Sequence, residues 1–182
     1  MAGDGEDRQI SMDDRSSRQA RDWHFLATSI RDWGRELGFQ SVGISDTDLS
    51  AAEPGLEAWL AKGFHGGLDY MARHGSKRTR PEELHAGTIR VITARMNYLA
   101  TPAAMAPEIS GAAEVLNSPH LAYISRYALG RDYHKVIRSR LQTLADRIES
   151  EVGAFGYRVF TDSAPVMEVE LARKSGLGWR GK

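Results

Sequence analysis

The 182-residue sequence contains no cysteine. This absence excludes disulfide bonds, thiolate zinc sites, cysteine nucleophiles and any iron–sulfur cluster ligated by this chain. The sequence also has no apolar run near the roughly 18 residues that a membrane helix needs, and its charged start lacks the apolar core of a signal peptide. These absences predict a soluble cytoplasmic protein.

Net charge is absent as well, because 24 lysines and arginines balance 24 aspartates and glutamates. A site for a polyanion must therefore come from local charge patterning. Residues 73–95 and residues 120–147 each hold six basic and two acidic side chains, whereas residues 1–60 carry six more acids than bases. The basic segments indicate either a solvated helix surface or a surface that follows phosphates, and the residues alone leave both interpretations open.

Hydrophobic periodicity divides the chain into a tail and one domain. Residues 1–22 are acidic and poor in apolar side chains, which predicts a disordered tail, and residues 23–182 form the domain. Apolar spacing predicts helices near residues 23–37, 53–63, 137–148 and 165–175, strands near residues 39–44, 88–99 and 157–161, and an exposed loop over residues 102–119. This alternation predicts an α/β domain with helices layered on a mixed sheet.

Two patterns that suggest ligand binding are set aside. Residues 176–181 match the dinucleotide fingerprint G-x-G-x-x-G, but that motif needs a strand before it and a helix after it, and here a predicted helix precedes it. None of the six histidines lies three or four residues from another, which is the spacing that places two imidazoles on one helical face. No metal site is expected.

Two acidic positions carry competing interpretations. Asp132 and His134 fit a proton relay, or equally a charged turn that opens the following helix. Asp162 lies where a strand should turn into a helix, and there Asp is a favoured cap while Pro165 is tolerated in the first turn. Alternatively, strand ends in α/β domains face ligand crevices, where a carboxyl group of raised pKa acts as an acid. The residues by themselves do not choose between these roles.

Longer motifs supply a specific resemblance. They are residues 59–71 (WLAKGFHGGLDYM), 77–84 (KRxRPxxL), 125–135 (SRYAxGRDYHK), 162–168 (DSAPVxE) and the ending 176–182 (GLGWxGK). In this order they resemble the epoxyqueuosine reductases, from about Ile30 to Lys182, over the N-terminal half of that family. The resemblance implies a nitroreductase-like cobalamin-binding module that reduces epoxyqueuosine to queuosine in the tRNA anticodon loop.

The resemblance also implies partners outside this sequence. Family members continue past the Gly-Lys ending with a ferredoxin-like domain, whose cysteines hold two four-iron four-sulfur clusters that deliver electrons to the cobalt. The chain is thus expected to be an oxidoreductase portion truncated before its cluster domain. Two alternatives are kept open: a non-catalytic fragment that binds cobalamin or tRNA and needs a separate cluster-bearing chain, and a flavin-using reductase on a related fold.

Site residues follow from the same resemblance. Asp162 matches the position of the family's proton donor, and Asp132 and His134 become candidates for the substrate pocket. The positions implied for cobalamin are Arg78, Ser125, Asp162, Ser163, Ala164 and Glu168. The positions expected to contact tRNA phosphates are Arg126, Arg131, Lys135 and Arg138, which concentrate positive charge beside Asp132.

Overall fold

The computed structural model describes residues 22–98, 112–128 and 130–181. Its helices are α1 (Trp23–Glu36), α2 (Glu53–Ala61), α3 (Tyr70–Arg73), α4 (Ala112–Asn117), α5 (Tyr133–Val152) and α6 (Glu168–Lys174), and its strands are β1 (Ser41–Ser45) and β2 (Val91–Arg95). Short 3₁₀ turns occupy Gly75–Arg78, Pro81–Glu83 and Arg126–Ala128. None of the described helices is long and apolar enough to cross a membrane.

Local sequence explains how the first helix begins and ends. The Asp22 carboxylate accepts hydrogen bonds from the backbone N–H groups of His24 and Phe25, at 2.9 and 3.0 Å, and so satisfies two donors that the first turn leaves free. Gly38 follows the helix at φ +84°, a conformation that glycine adopts without strain. Asp22, predicted to belong to the tail, is therefore part of α1's cap, and residues 1–21 of that tail lie outside the described residues.

The sheet has two antiparallel strands, with Ser41 opposite Arg95 and Ser45 opposite Val91. Successive side chains of a strand point to opposite faces. Val42 packs into a cluster of buried side chains from α1 and α5 that includes Leu26, Ile30, Leu144 and Ile148. Its neighbour Gly43 faces the end of α6, since a Cβ there would lie 2.6 Å from the Ser175 carbonyl oxygen. Helices thus cover both faces of the sheet, and the α/β class is confirmed.

Three predicted elements differ from the structure. The sheet is antiparallel rather than mixed, because residues 157–161 run without entering a described ladder. The helix predicted from residue 165 begins only at Glu168, because residues 162–167 form bends and a loop. Helix α4 lies inside the predicted loop 102–119, whose residues 102–111 lie outside the described part of the chain.

The close packing of α1 on the sheet predicts that a larger residue at Gly34 destabilises the protein. A Cβ added at Gly34 would lie well inside van der Waals contact with Val42 Cγ2, which the core holds in place. Overpacking costs about 1–3 kcal/mol and helix propensity returns at most about 1 kcal/mol, so Gly34→Ala is expected to lower the free energy of unfolding by about 1–2 kcal/mol.

Gly55 is the matched control for this substitution. It lies in α2 with no atom within 4 Å of an added Cβ, so Gly55→Ala is expected to be neutral or to stabilise by about 1 kcal/mol. Urea unfolding of both variants measures the difference. Equal stability of the two variants would contradict the close approach of α1 to β1.

Candidate active site

Asp162 occupies a strained turn between residues 157–161 and α6. Its φ is +55°, and among the described residues it alone is a non-glycine residue with positive φ. Aspartate tolerates this left-handed region better than most residues do. The residue before α6 is Met167, whose side chain makes no capping bond, and residues 163–167 separate Asp162 from the helix. The interpretation of Asp162 as the helix cap is therefore wrong.

The Asp162 carboxylate meets two side chains from the start of α5. The Tyr133 hydroxyl donates a hydrogen bond of 2.6 Å to Asp162 Oδ2, and His134 Nε2 lies 3.5 Å from the same oxygen. The two rings stack with centroids 4.0 Å apart. The hydrogen bond to Asp162 raises the pKa of the Tyr133 phenol to about 12. A phenol donor and an imidazole therefore converge on one carboxylate.

Asp132 both caps α5 and holds the His134 ring. Its Oδ1 accepts from the His134 backbone N–H at 3.0 Å and lies 3.0 Å from His134 Nδ1. The hydrogen bond from His134 holds the pKa of the Asp132 carboxyl below its ordinary range. The His134 imidazole thus contacts Asp132 through Nδ1 and lies 3.5 Å from Asp162 through Nε2. Asp132 caps α5, and the relay stays a prediction.

Glu168 is the first residue of α6, the helix that follows the Asp162 turn. Partial burial of its carboxyl group raises the pKa, the nearby Asp162 charge raises it further, and the Asp162 backbone N–H opposes both effects. The residue as a whole is exposed. The Glu168 carboxyl group therefore lies close to the Asp162 turn.

A cavity of about 280 Å³ opens beside this turn. Its lining comes from two parts of the chain: Tyr70, His74 and Arg78, and the run Asp162, Ser163, Ala164, Pro165, Val166 and Glu168. Arg78 is buried, and its Nε and Nη2 donate to the carbonyl oxygens of Met71 and Tyr70, both at 2.9 Å. The Arg78 carbonyl accepts from the Met167 N–H at 3.1 Å. Arg78 therefore joins the two walls of the cavity.

The other predicted site residues lie at its edge or away from it. Ser125 is exposed, and its carbonyl oxygen accepts from the Ala128 N–H in the turn before α5. Arg131, Lys135 and Arg138 are exposed at the start of α5, beside Asp132, and form no ion pair with another described residue. The backbone of Arg126 lies in the 3₁₀ turn that precedes them, and its side chain lies outside the described part of the chain.

Five contributors to the site are absent from the sequence-based list: Pro165 and Val166, which lie inside the run 162–168, and Tyr133, Tyr70 and His74. Tyr133 lies inside the run 125–135, between two residues selected for the substrate pocket, and Tyr70 lies inside the run 59–71. Both tyrosines could have been identified from the sequence, because they lie within the motifs that resemble the family. No sequence signal distinguishes His74, because its place in the cavity depends on how α3 folds against residues 162–168.

The hydrogen bond between Tyr133 and Asp162 predicts how the pKa of the Tyr133 phenol responds to a substitution at Asp162. Replacing Asp162 with alanine removes the hydrogen bond that raises the Tyr133 pKa, together with the nearby charge, so the value is expected to fall from about 12 toward 10.0. Because the folded pKa lies above the unfolded one, the bond favours folding fully below pH 10 and this contribution is lost as the pH rises through about 12. The ¹³Cζ shift of Tyr133 followed by NMR from pH 8 to 13 measures both values, and an unchanged pKa in the variant would contradict the contact.

The arrangement suits proton transfer to a bound molecule. A carboxyl group lies at the mouth of a cavity, with a phenol and an imidazole in reach to exchange protons with it. The side chain of Asp162 is 49% exposed, and its Oδ2 accepts the hydrogen bond from the Tyr133 hydroxyl. Proton donation by Asp162 to a bound molecule therefore requires that the molecule cover the cavity and exclude water.

Comparisons with known proteins agree on one family. The family model described as epoxyqueuosine reductase QueG, DUF1730, matches residues 78–163. The chain is 62% identical over 168 residues to the epoxyqueuosine reductase of Burkholderia pseudomallei, covering 86% of this chain and 41% of that protein. It is 60% identical over 157 residues to the Pseudomonas aeruginosa enzyme, covering 86% of this chain and 42% of that protein.

Solved structures show the same fold. An epoxyqueuosine reductase from Streptococcus thermophilus superposes with a TM-score of 0.67 at 20% identity, over 85% of this chain and 39% of that one. A selenomethionine-labelled epoxyqueuosine reductase gives a TM-score of 0.69 at 17% identity, over 86% of this chain and 40% of that one. The chain thus spans about two fifths of the length of these relatives. In sequence and in fold, the chain is similar to one part of an epoxyqueuosine reductase.

Proposed function

We propose that this chain forms the acid-bearing part of a cobalamin-dependent tRNA epoxyqueuosine reductase, which converts epoxyqueuosine to queuosine in the anticodon loop. The observation that carries the proposal is the Asp162 carboxyl at the cavity mouth, in contact with Tyr133 and close to His134. The names of the relatives support the reaction, since they are reductases of this substrate. The reaction takes place in the cytoplasm, where the tRNA substrate is found.

In the proposed mechanism, Asp162 supplies a proton to the departing epoxide oxygen. Removing that oxygen as water consumes two electrons and two protons, and breaking the C–O bond generates alkoxide character. A neutral carboxylic acid in a water-free site protonates an alkoxide. Tyr133 and His134 hold the carboxyl group in place, and Asp132 fixes the orientation of the His134 ring. The phenol and imidazole are positioned to restore the proton afterwards.

The cavity residues suit one face of a corrin. Ser163 and Ala164 are small, so a flat macrocycle can approach the backbone there, and the polar ends of Ser163, Glu168 and Arg78 can bond its amide side chains. Bound cobalamin would supply the reducing electrons. By covering the cavity, it would also shield Asp162 from water. A corrin is much larger than a cavity of about 280 Å³, so this chain holds only part of it. The two iron–sulfur clusters and the rest of the cofactor site belong to the remaining part of the enzyme.

One experiment distinguishes a reductase from a protein that only binds the cofactor or the tRNA. The chain is joined to the remaining part of the Burkholderia pseudomallei reductase, loaded with cobalamin, reduced chemically and mixed with tRNA that carries epoxyqueuosine. We expect queuosine to form in a single turnover. A cobalamin spectrum without product would favour the binding-only alternative, and a bound flavin spectrum would favour the flavin-using alternative. Either result contradicts the proposed reductase.

A further inference from the structure

A large apolar groove is lined by β2 and by residues 154–161. Its volume is about 1540 Å³, which exceeds the roughly 300–1,000 Å³ of an ordinary small-ligand pocket. Every residue of β2 and of the segment 154–161 lines it, together with side chains of α1, α5 and α6. The groove meets the Asp162 cavity, because Asp162 and Glu168 line both.

Both β2 and residues 157–161 present backbone groups without backbone partners. In the described sheet β2 pairs only with β1, which leaves its second edge unpaired. Residues 157–161 make no backbone–backbone hydrogen bond with any described residue. Thr161 Oγ1, at the end of this segment, is buried and has no hydrogen-bond partner. Native proteins pair nearly all such groups when they are buried, so two unpaired edges facing one apolar groove indicate a missing element.

The segment 157–161 has the composition of a strand. Four of its residues are half-buried and Arg158 is exposed, and all five line the groove. Aromatic and β-branched residues make up most of the segment, and they favour strands. The prediction of a strand here was wrong, because the segment pairs with no described strand. Its residues nevertheless favour the extended conformation of a strand.

We propose that the groove receives one extended strand from the part of an epoxyqueuosine reductase that this chain does not cover. That strand pairs with β2 on one side and with residues 157–161 on the other. The lengths of the relatives indicate where this strand comes from. The solved reductases of the same fold are matched over only 39% and 40% of their chains, so most of each reductase lies outside the region that this chain covers. The inference rests on this relationship, and not on the proposed activity.

Segments of this chain outside the described residues fit the groove poorly. Residues 99–111 contain Pro102 and Pro107, and proline cannot take part in the interior of a central strand. Residues 1–21 carry many charged side chains, whose burial against apolar walls is costly. An apolar strand without proline, from the remaining part of the enzyme, avoids both the proline and the buried charges. By pairing with residues 157–161, it would also fix the position of Asp162, the next residue along the chain.

Hydrogen–deuterium exchange tests the proposal without any turnover. The exchange of backbone amides is compared between the 182-residue chain and the same chain joined to the remaining part of the Burkholderia pseudomallei reductase. We expect alternate amides of β2 and of residues 157–161 to exchange about 10²-fold more slowly in the joined protein, because a sheet bond must open before exchange occurs. Equal exchange in the two proteins would overturn the proposal.

Two further arms distinguish other occupants. Cobalamin alone is added to the 182-residue chain, and the same protection on its addition would assign the groove to the cofactor and overturn the proposal. Protection that increases with the concentration of the 182-residue chain would assign the groove to a second copy, with the same consequence. Unchanged exchange in both arms supports a strand from the remaining part of the enzyme.

A pair of substitutions in the joined protein completes the test. Val159→Asp places a charge in the groove wall, and Ser139→Asp places the same charge at an exposed position of α5 that does not line the groove. We expect Val159→Asp to remove at least about tenfold of the protection at β2, while Ser139→Asp retains it. Protection of α5 amides, measured in the same experiment, confirms that both variants fold. Retained protection at β2 in the Val159→Asp variant would contradict strand addition.

Discussion

Asp162→Asn is expected to lower the single-turnover rate by about 10²-fold or more when the chain is joined to the remaining part of the Burkholderia pseudomallei reductase, because the substitution removes the proposed acidic proton. Folding is expected to survive, since asparagine tolerates the left-handed backbone at φ +55° as well as aspartate does. The asparagine oxygen also still accepts a hydrogen bond from the Tyr133 hydroxyl. The measurement is queuosine formation from epoxyqueuosine tRNA with cobalamin reduced beforehand.

Asp162→Ala and Asp32→Asn complete this experiment. Alanine removes the proton and is strained at positive φ, so we expect the same loss of turnover together with about 1–2 kcal/mol of lost stability. Asp32 pairs with Arg35 on the exposed side of α1, far from the cavity, so Asp32→Asn serves as the control and should retain the full rate. Near-normal turnover of Asp162→Asn would show that the residue shapes the turn without donating a proton.

Removing three positive charges from the start of α5 is expected to weaken tRNA binding strongly. Arg131, Lys135 and Arg138 are exposed and form no ion pair with a described residue, so they are available to phosphates. Each phosphate contact contributes about 0.7–0.9 to the slope of log affinity against log salt, so replacing all three with glutamine should reduce the slope by about 2 and the affinity at 0.1 M salt by about 10²-fold. Near 1 M salt the variant and the parent should bind alike.

Arg147 provides a control on the same helix. It lies near the other end of α5, where it pairs with Glu36 at 2.6 Å. Arg147→Gln is expected to leave the salt slope unchanged, whereas Arg138→Gln alone should lower it by about 0.7–0.9. Filter binding or fluorescence anisotropy across a salt series measures both. Equal slopes for Arg138→Gln and the parent would exclude this face of α5 from tRNA contact.

The α/β class and most helices could be predicted from the sequence, because they depend on local signals. Apolar spacing in α1 and α5, the Asp132 position before α5 and the β-prone run that becomes β1 all act within a few residues along the chain. Boundaries were less accurate where tertiary contacts decide them. Helix α6 begins three residues later than predicted, because the Met167 N–H donates to the carbonyl of Arg78, 89 residues earlier in the chain.

By itself, the sequence determined the similarity to the epoxyqueuosine reductases and the choice of Asp162 as the candidate acid, since both rest on motifs that can be identified without atomic coordinates. Only the tertiary structure decided what Asp162 contacts, because Tyr133 lies 29 residues earlier in the chain and is brought to it by the packing of α5. It likewise showed that Arg78 bonds carbonyl oxygens in the cavity wall, and that residues 157–161 lack a neighbouring strand. The physical reason is that a strand or a site is completed by partners distant in sequence, and local preference specifies the conformation of a segment but not its partner.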